Sequence, residues 1–229
     1  GVFRHGAMLV GTHAFGAILN ALGVGLPANY YTADIDVARY DAIPLAARPE
    51  RGIVELLERS GLPFVEVPEL DVRKPSTSFR ARGRKLRVDL LVPGDTRYRT
   101  YRIPELGAHA TGLPFLDYLL ADRVPAVVLG RDHVVPVRVP NAARYCLHKL
   151  IVASLRASRA AAKADKDIAQ SAVLAAVLAE KFEADLHEAA RKAPAGARKR
   201  LAQGAPRAAA LLTGQFAAGR DFLEGLRRS

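Results

Sequence analysis

Apolar residues recur with two different periods along the chain, and the period changes near residue 140. Before that point, short apolar runs and alternating patterns predict strands within residues 7–10, 33–38, 63–70, 78–93, 98–103 and 126–139. Apolar residues at helical spacing predict two helices in the same part, over residues 12–22 and 49–60. This part of the chain is therefore expected to form a mixed sheet with a few helices.

From Asn141 onward the pattern is that of Ala-rich helices. Segments 142–159 and 165–181 predict helices, and Asn141 is a suitable N-cap for the first of them. Pro-Ala-Gly at 194–196 and Gly-Ala-Pro at 204–206 predict interruptions. The expected fold class is therefore α/β (α+β), with a small mixed-sheet domain over residues 1–140 followed by an all-helical domain over residues 141–229.

Composition favours a globular protein with a polyanionic partner. Half of the 229 residues are apolar, and 34 Lys and Arg outnumber 23 Asp and Glu, for a net charge of +11. Such an excess favours nucleic acid, nucleotides or a membrane surface, although solubility alone would also account for it. No apolar run approaches the ~20 residues that a membrane span needs, so no membrane partner is expected.

The single cysteine, Cys146, excludes a disulfide framework within the chain and favours a cytoplasmic setting. Its apolar helical surroundings predict a buried structural thiol. The chain begins without Met and without a signal-peptide pattern, so we expect it to be a segment of a longer protein. These features leave the oligomeric state open.

Two aspartates, Asp34 and Asp36, interrupt the apolar pattern of the second predicted strand. Residues i and i+2 of a strand face the same side, so both carboxylates point together while Ile35 and Val37 can face the core. Neighbouring carboxylates repel each other unless a cation lies between them, and Mg²⁺ prefers carboxylate and phosphate oxygens. A solvated strand edge is the alternative explanation for this pair taken alone.

Asp89 is a third acid, placed inside the apolar segment 86–92. If its strand lies near the first, three carboxylates can hold two Mg²⁺ ions about 3.5–4 Å apart, as suits nucleotidyl transfer. Gly11 and Thr12 add a strand-to-helix turn, where glycine lets the backbone approach a ligand and the helix N-terminus offers N–H groups to phosphate. Together these features predict a site that handles nucleotides.

These residues resemble the DNA polymerase-beta-like nucleotidyltransferase superfamily. Its pattern is an apolar strand ending in Gly-Gly or Gly-Ser, a helix, a strand with Asp-x-Asp or Asp-x-Glu, and a later acid. The matching segments here are MLVGTHAF, TADIDVA and RVDLLVP. The similarity spans about residues 8–180 and is most marked with a bacterial family related to AbiEii-type nucleotidyltransferases, some of which are toxins. Thr12 departs from the pattern, because Gly or Ser is usual there.

The resemblance implies transfer of an NMP from an NTP to a hydroxyl acceptor. It implies that Asp34, Asp36 and Asp89 are catalytic and bind two Mg²⁺ ions, with Asp89 also helping to deprotonate the acceptor. The positive net charge makes RNA, including tRNA, a plausible acceptor. A protein hydroxyl and a small molecule are further options.

The resemblance also implies that Lys149 and Asp167, in the helical part, join Gly11 and Thr12 in the nucleotide site. Lys149 would neutralise triphosphate charge, and Asp167 would orient the lysine or the substrate. The alternatives are a solvated lysine that lies over Tyr145 and an acid that complements the N-terminus of its own helix.

Other basic residues carry less information. Arg156 lies seven residues after Lys149, on the same predicted helix face, and is expected to be a surface arginine. The basic stretches 80–87 and 191–200 could hold nucleic-acid phosphates or be solvated loops.

Two alternatives to a nucleotidyltransferase stay open. One is a glycosyltransferase that uses Asp-x-Asp to hold a sugar nucleotide, although only 33 residues precede Asp34. The other is a non-catalytic nucleotide- or RNA-binding module with the same fold, which the departure at Thr12 would allow.

Overall fold

The computed structural model describes residues 3, 6–25, 32–39, 51–130, 132–156 and 160–227. It divides into two compact units, residues 1–140 and residues 141–229. Strands occupy the first unit and helices dominate the second, which confirms the expected α/β class. Among the described residues, no helix combines the length and the apolar character that crossing a membrane requires.

The first unit is built on a seven-stranded mixed sheet. Its elements are β1 (Ala7–Val10), α1 (Gly11–Ala21), β2 (Asp34–Arg39), α2 (Ile53–Glu58), β3 (Phe64–Glu66), β4 (Ser78–Ala81), β5 (Arg87–Gly94), β6 (Thr100–Ile103), β7 (Ala108–Pro114) and α3 (Leu116–Leu120). The strand order is β1-β2-β5-β4-β3, and β5 also pairs with β7, which pairs with β6. Strand β5 runs parallel to β2 and to β7, whereas β1 is antiparallel to β2. Strands β8 (Arg123–Leu129) and β9 (Val134–Pro140) form a separate antiparallel pair.

One face of the large sheet is covered by an apolar core. Val88 and Leu90 of β5 are buried in it, and Ile35 and Val37 of β2 pack against the same cluster. Since successive side chains of a strand point to opposite faces, the acids of β2 and β5 leave the sheet on the other side. The predicted alternation along β2 is thereby confirmed.

Several strand predictions were wrong in extent. Residues 78–93 form the hairpin β4–β5 rather than one strand, because Gly83 adopts a left-handed φ of +71° in the turn. Residues 63–70 contain only the three-residue β3, and residues 126–139 fold back on themselves as β8 and β9. The sequence patterns did not predict β7, whose alanines and Gly112 weaken the strand signal. Helix α2 begins at Ile53, and its predicted start near residue 49 lies outside the described residues.

The second unit consists of α4 (Ala142–Leu155), α5 (Ala161–Lys181), α6 (Glu183–Arg191), α7 (Ala195–Ala209) and α8 (Ala217–Gly225). Asn141 caps α4 as predicted, since its Oδ1 accepts hydrogen bonds from two backbone N–H groups of the first turn, at 2.9 and 3.3 Å. The predicted break at residues 204–206 was wrong, because α7 continues through it. Gly204 lies against α4, where a Cβ would come 2.9 Å from the Leu150 carbonyl oxygen. Gly204 therefore allows α7 to pack closely against α4 and does not end the helix.

Candidate active site

Two of the three predicted metal-binding acids lie side by side in the sheet. Asp36 of β2 and Asp89 of β5 are directly opposite each other in the parallel register, so their side chains leave the same face. The same register places Asp34 opposite Arg87. A slip by one residue would turn Asp89 into the core. The register that buries the apolar residues of β5 therefore also positions the acid pair.

Gly11 brings the start of α1 against Asp36. Strand β1 places Val10 opposite Asp36, and the chain enters α1 at the next residue. Gly11 has a left-handed φ of +64°, and a Cβ at this position would lie 2.8 Å from Asp36 Cγ and closer still to Oδ2. Glycine meets both demands, the close approach and the left-handed backbone. Thr12 follows in the first turn of α1, whose N-cap residue provides no side-chain hydrogen bond.

Two side chains that the sequence did not predict as site residues, Arg87 and Ser78, contact Asp89. Arg87 Nε donates to Asp89 Oδ1 at 2.7 Å, and Arg87 Nη2 donates to Ser78 Oγ at 2.9 Å. Ser78 Oγ in turn donates to the same oxygen of Asp89. The guanidinium group of Arg87 thus neutralises the carboxylate that neighbours Asp36.

The strand period could have identified Arg87, because it precedes Asp89 by two residues and shares its face. No comparable signal exists for Ser78. Its position beside Asp89 depends on the β4–β5 hairpin, in which these two residues are register partners.

The arrangement of the three acids bears on whether they can hold a metal ion. Within the described ranges, no group of three or more His, Cys, Asp or Glu side chains lies close enough together to hold one. Asp36 and Asp89 nevertheless present neighbouring carboxylates on one face, next to a turn where a Cβ would fill the space, and these are donors that Mg²⁺ accepts. Asp34 is exposed at the start of β2. Metal binding by the three acids stays a prediction that the backbone arrangement fits.

In the helical unit, Lys149, Arg156 and Asp167 form one ionic cluster. Lys149 Nζ lies 2.8 Å from Asp167 Oδ1, and Arg156 Nε lies 2.7 Å from Asp167 Oδ2. Asp167 is only 3% exposed. The expectation that Arg156 is an ordinary surface arginine was wrong, because its side chain is only 29% exposed and pairs with Asp167 of α5 from the extended residue that ends α4. One buried carboxylate therefore joins two helices through two cations.

Burial and this cluster change the acid–base properties of nearby groups. Burial alone would lower the pKa of Lys149, but Tyr145 and Asp167 outweigh it and raise the pKa above its ordinary value. The Lys149 ammonium also lies 5.1 Å from the centre of the Tyr145 ring. Burial, and to a smaller extent the charge of Lys149, lowers the pKa of His148 to about 3. This imidazole is therefore neutral at ordinary pH. Burial raises the pKa of Cys146 to about 12, as expected of a buried thiol.

Comparison with known families decides the class of protein. A family model described as nucleotidyltransferase matches residues 1–195, which include the whole sheet and helices α1–α6. The chain belongs to this nucleotidyltransferase family. The membership confirms the expected class of transferase, with a nucleoside triphosphate as substrate, and leaves the glycosyltransferase alternative without support. A search of curated proteins finds no match to this nucleotidyltransferase.

Proposed function

We propose that this nucleotidyltransferase is a Mg²⁺-dependent enzyme that moves an NMP from an NTP to a hydroxyl group of an RNA such as tRNA. The observation that carries the proposal is the in-register pair of Asp36 and Asp89, next to the glycine turn that starts α1. The net charge of +11 supports a polyanionic acceptor. The resemblance to AbiEii-type enzymes supports a toxin-like role for the modification.

The acids of β2 and β5 have two tasks in this proposal. Asp34, Asp36 and Asp89 would hold two Mg²⁺ ions, which supply charge neutralisation for the triphosphate and the leaving pyrophosphate. Asp89 also accepts the proton of the attacking hydroxyl, once it is released from Arg87. The hydroxyl oxygen then forms a bond to the α-phosphorus, and the bond from that phosphorus to pyrophosphate breaks.

The remaining groups bind the nucleotide. The first turn of α1, at Gly11 and Thr12, offers backbone N–H groups to phosphate oxygens. Lys149 contributes a cation for the triphosphate, and Asp167 orients it through the 2.8 Å contact. Two cations share one carboxylate in that cluster, so it keeps the net positive charge that an anionic substrate needs.

The proposal is tested by incubating the native protein with each labelled NTP, Mg²⁺ and total RNA, and by resolving the products. We expect label in RNA, and a rate at least about 10²-fold lower in Asp36→Asn and in Asp89→Asn, because each loses a charge that the transition state needs. Asp122→Asn is the matched control, since Asp122 is exposed and precedes β8. Absence of transfer by the native protein to RNA, protein and small-molecule acceptors would refute the proposal.

A second candidate function is a non-catalytic nucleotide- or RNA-binding module. The observation that favours it is the contact of Arg87 with Asp89, which gives this acid a protein cation as its partner. In that case the protein binds NTP without transfer, and Asp89→Asn leaves the affinity for NTP unchanged in equilibrium binding.

A further inference from the structure

A groove of about 470 Å³ lies between α6, α7 and α8 of the helical unit. Its floor is apolar, and its edges carry cationic and aromatic groups. The residues that line it are His187, Ala190, Arg191, Arg198, Leu201, Asp221, Phe222, Gly225 and Leu226. A cleft of roughly 300–1,000 Å³ is the usual size for a small-ligand site, so the groove has room for a nucleotide unit.

Two arginines dominate the charge of this groove. Arg191 and Arg198 are exposed, and neither has an ion-pair or hydrogen-bond partner among the described residues. Glu188, close to Arg191 in the sequence, forms its ion pair with Lys192, and the nearby charge of Arg191 adds to the lowering of the Glu188 pKa. The one acid of the lining, Asp221, lies 3.7 Å from the guanidinium group of the preceding arginine. The groove therefore presents two guanidinium groups that are available to an anion.

The sequence around the groove strengthens this positive character. Residues 141–229 contain 16 Lys and Arg against 8 Asp and Glu, so they carry +8 of the chain's total of +11. The stretch 191–200 contains five cations and no acid. It spans the end of α6 and the start of α7, and both Arg191 and Arg198 line the groove. A local excess of this kind attracts a polyanion more than it attracts a single small anion.

The groove also offers a surface for a base. The imidazole of His187 meets the ring of Phe222 edge to face, with ring centres 5.4 Å apart and an angle of 85° between the planes. Phe222 is buried in the floor, and His187 is exposed at the rim. Aromatic surfaces next to cations are the usual means of holding unpaired nucleotides. A base inside a duplex is stacked and cannot reach such a groove.

We propose that this groove binds a single-stranded segment of RNA, with its phosphates at Arg191 and Arg198 and a base against His187 and Phe222. The assignment of this strand to the acceptor rests on the proposed function. Six of the nine lining residues follow residue 195, where the family match ends. The groove is thus mainly a feature of the C-terminal helices beyond the matched region.

The test measures binding of a short labelled single-stranded RNA by fluorescence anisotropy, at salt concentrations from about 50 to 200 mM. The variant is Arg191→Gln with Arg198→Gln. Loss of two phosphate contacts should reduce the slope of log K against log salt by about 1.4, which corresponds to about 25-fold weaker binding at ~0.1 M salt. Exposed substitutions of this kind change the free energy of unfolding by only about 0.5 kcal/mol, so the variant should fold.

The matched control is Lys163→Gln with Lys181→Gln, which removes the same charge from exposed positions of α5 outside the groove. If the arginine variant loses affinity while the control keeps the native affinity and the native slope of log K against log salt, the groove is supported as the RNA-binding site. Equal binding by the arginine variant and the native protein would overturn the proposal, and so would an equal loss in the control.

Transfer kinetics separate this proposal from the proposed function. The arginine variant leaves the acids of the sheet intact, so we expect a higher KM for RNA and an unchanged kcat. If the native protein transfers nothing but the binding pattern holds, the groove proposal stands and the transferase proposal fails. If transfer to RNA occurs while the variant binds RNA as well as the native protein, the groove proposal fails and the transferase proposal stands.

Discussion

Replacing Arg87 by glutamine should make Asp89 easier for Mg²⁺ to reach. In the structure the guanidinium group of Arg87 holds Asp89 Oδ1 at 2.7 Å, and it also binds Ser78. A metal ion that binds this oxygen must displace that cation first. The glutamine variant removes the competing charge and leaves the contact between Ser78 and Asp89 in place.

The size of the effect follows from the exposure of the pair. The side chains of Arg87 and Asp89 are 43% and 19% exposed, so solvent screens their attraction. Pairs of this kind contribute about 0.5–1 kcal/mol. Removing this competition should therefore tighten Mg²⁺ binding by about two- to fivefold. Without Mg²⁺ the variant leaves Asp36 beside an unneutralised Asp89, and we expect its Tm to fall by about 1–4 °C.

The assay is a Mg²⁺ titration by calorimetry in the presence of a non-hydrolysable NTP analogue, together with thermal unfolding with and without Mg²⁺. Arg80→Gln is the control, because Arg80 is exposed, is the register partner of Arg87 and contacts no carboxylate among the described residues. Identical Mg²⁺ midpoints for the native protein and the Arg87 variant would refute the reasoning. An equal shift of the Mg²⁺ midpoint in the Arg80 variant would show that the loss of any nearby positive charge, and not the contact with Asp89, is responsible.

Three further outcomes follow from individual positions. Gly11→Ala forces a side chain into a left-handed backbone against Asp36. We therefore expect the free energy of unfolding to fall by about 1–2 kcal/mol and nucleotidyl transfer to be lost. Native transfer by this variant would contradict the role of the turn at Gly11 in the site. Asp167→Asn leaves Lys149 buried without its counter-ion, and calorimetry should show a free energy of unfolding lower by about 3 kcal/mol; an unchanged Tm would disprove the role of the cluster. Burial lowers the pKa of His148 from its ordinary 6.5 to about 3, so its contribution to stability is present above about pH 6.5 and is lost as the pH falls towards 3. His148→Gln should flatten the stability measured by urea unfolding across that window, and an unchanged slope would count against it.

The parts of the site that the sequence predicted are those that depend on local rules. The alternation along β2 follows from a period of two, and the cap at Asn141 follows from the hydrogen bonds of one helical turn. The hairpin at Gly83 was missed, although the apolar positions change phase across the turn, from Phe79 and Ala81 before it to Leu86, Val88 and Leu90 after it. The continuation of α7 through Gly204 was missed because the glycine answers a packing demand from α4.

By itself, the sequence determined which residues share a face of a strand, where the chain turns at Gly11, and that the acids stand apart from the apolar positions around them. Only the tertiary structure decided that Asp36 and Asp89 are neighbours, that Arg87 is the cation at Asp89, and that one buried carboxylate joins α4 to α5. The physical reason is distance along the chain. A side chain's face depends on a period of two to four residues, whereas its partners depend on strand register and helix packing between segments far apart in sequence.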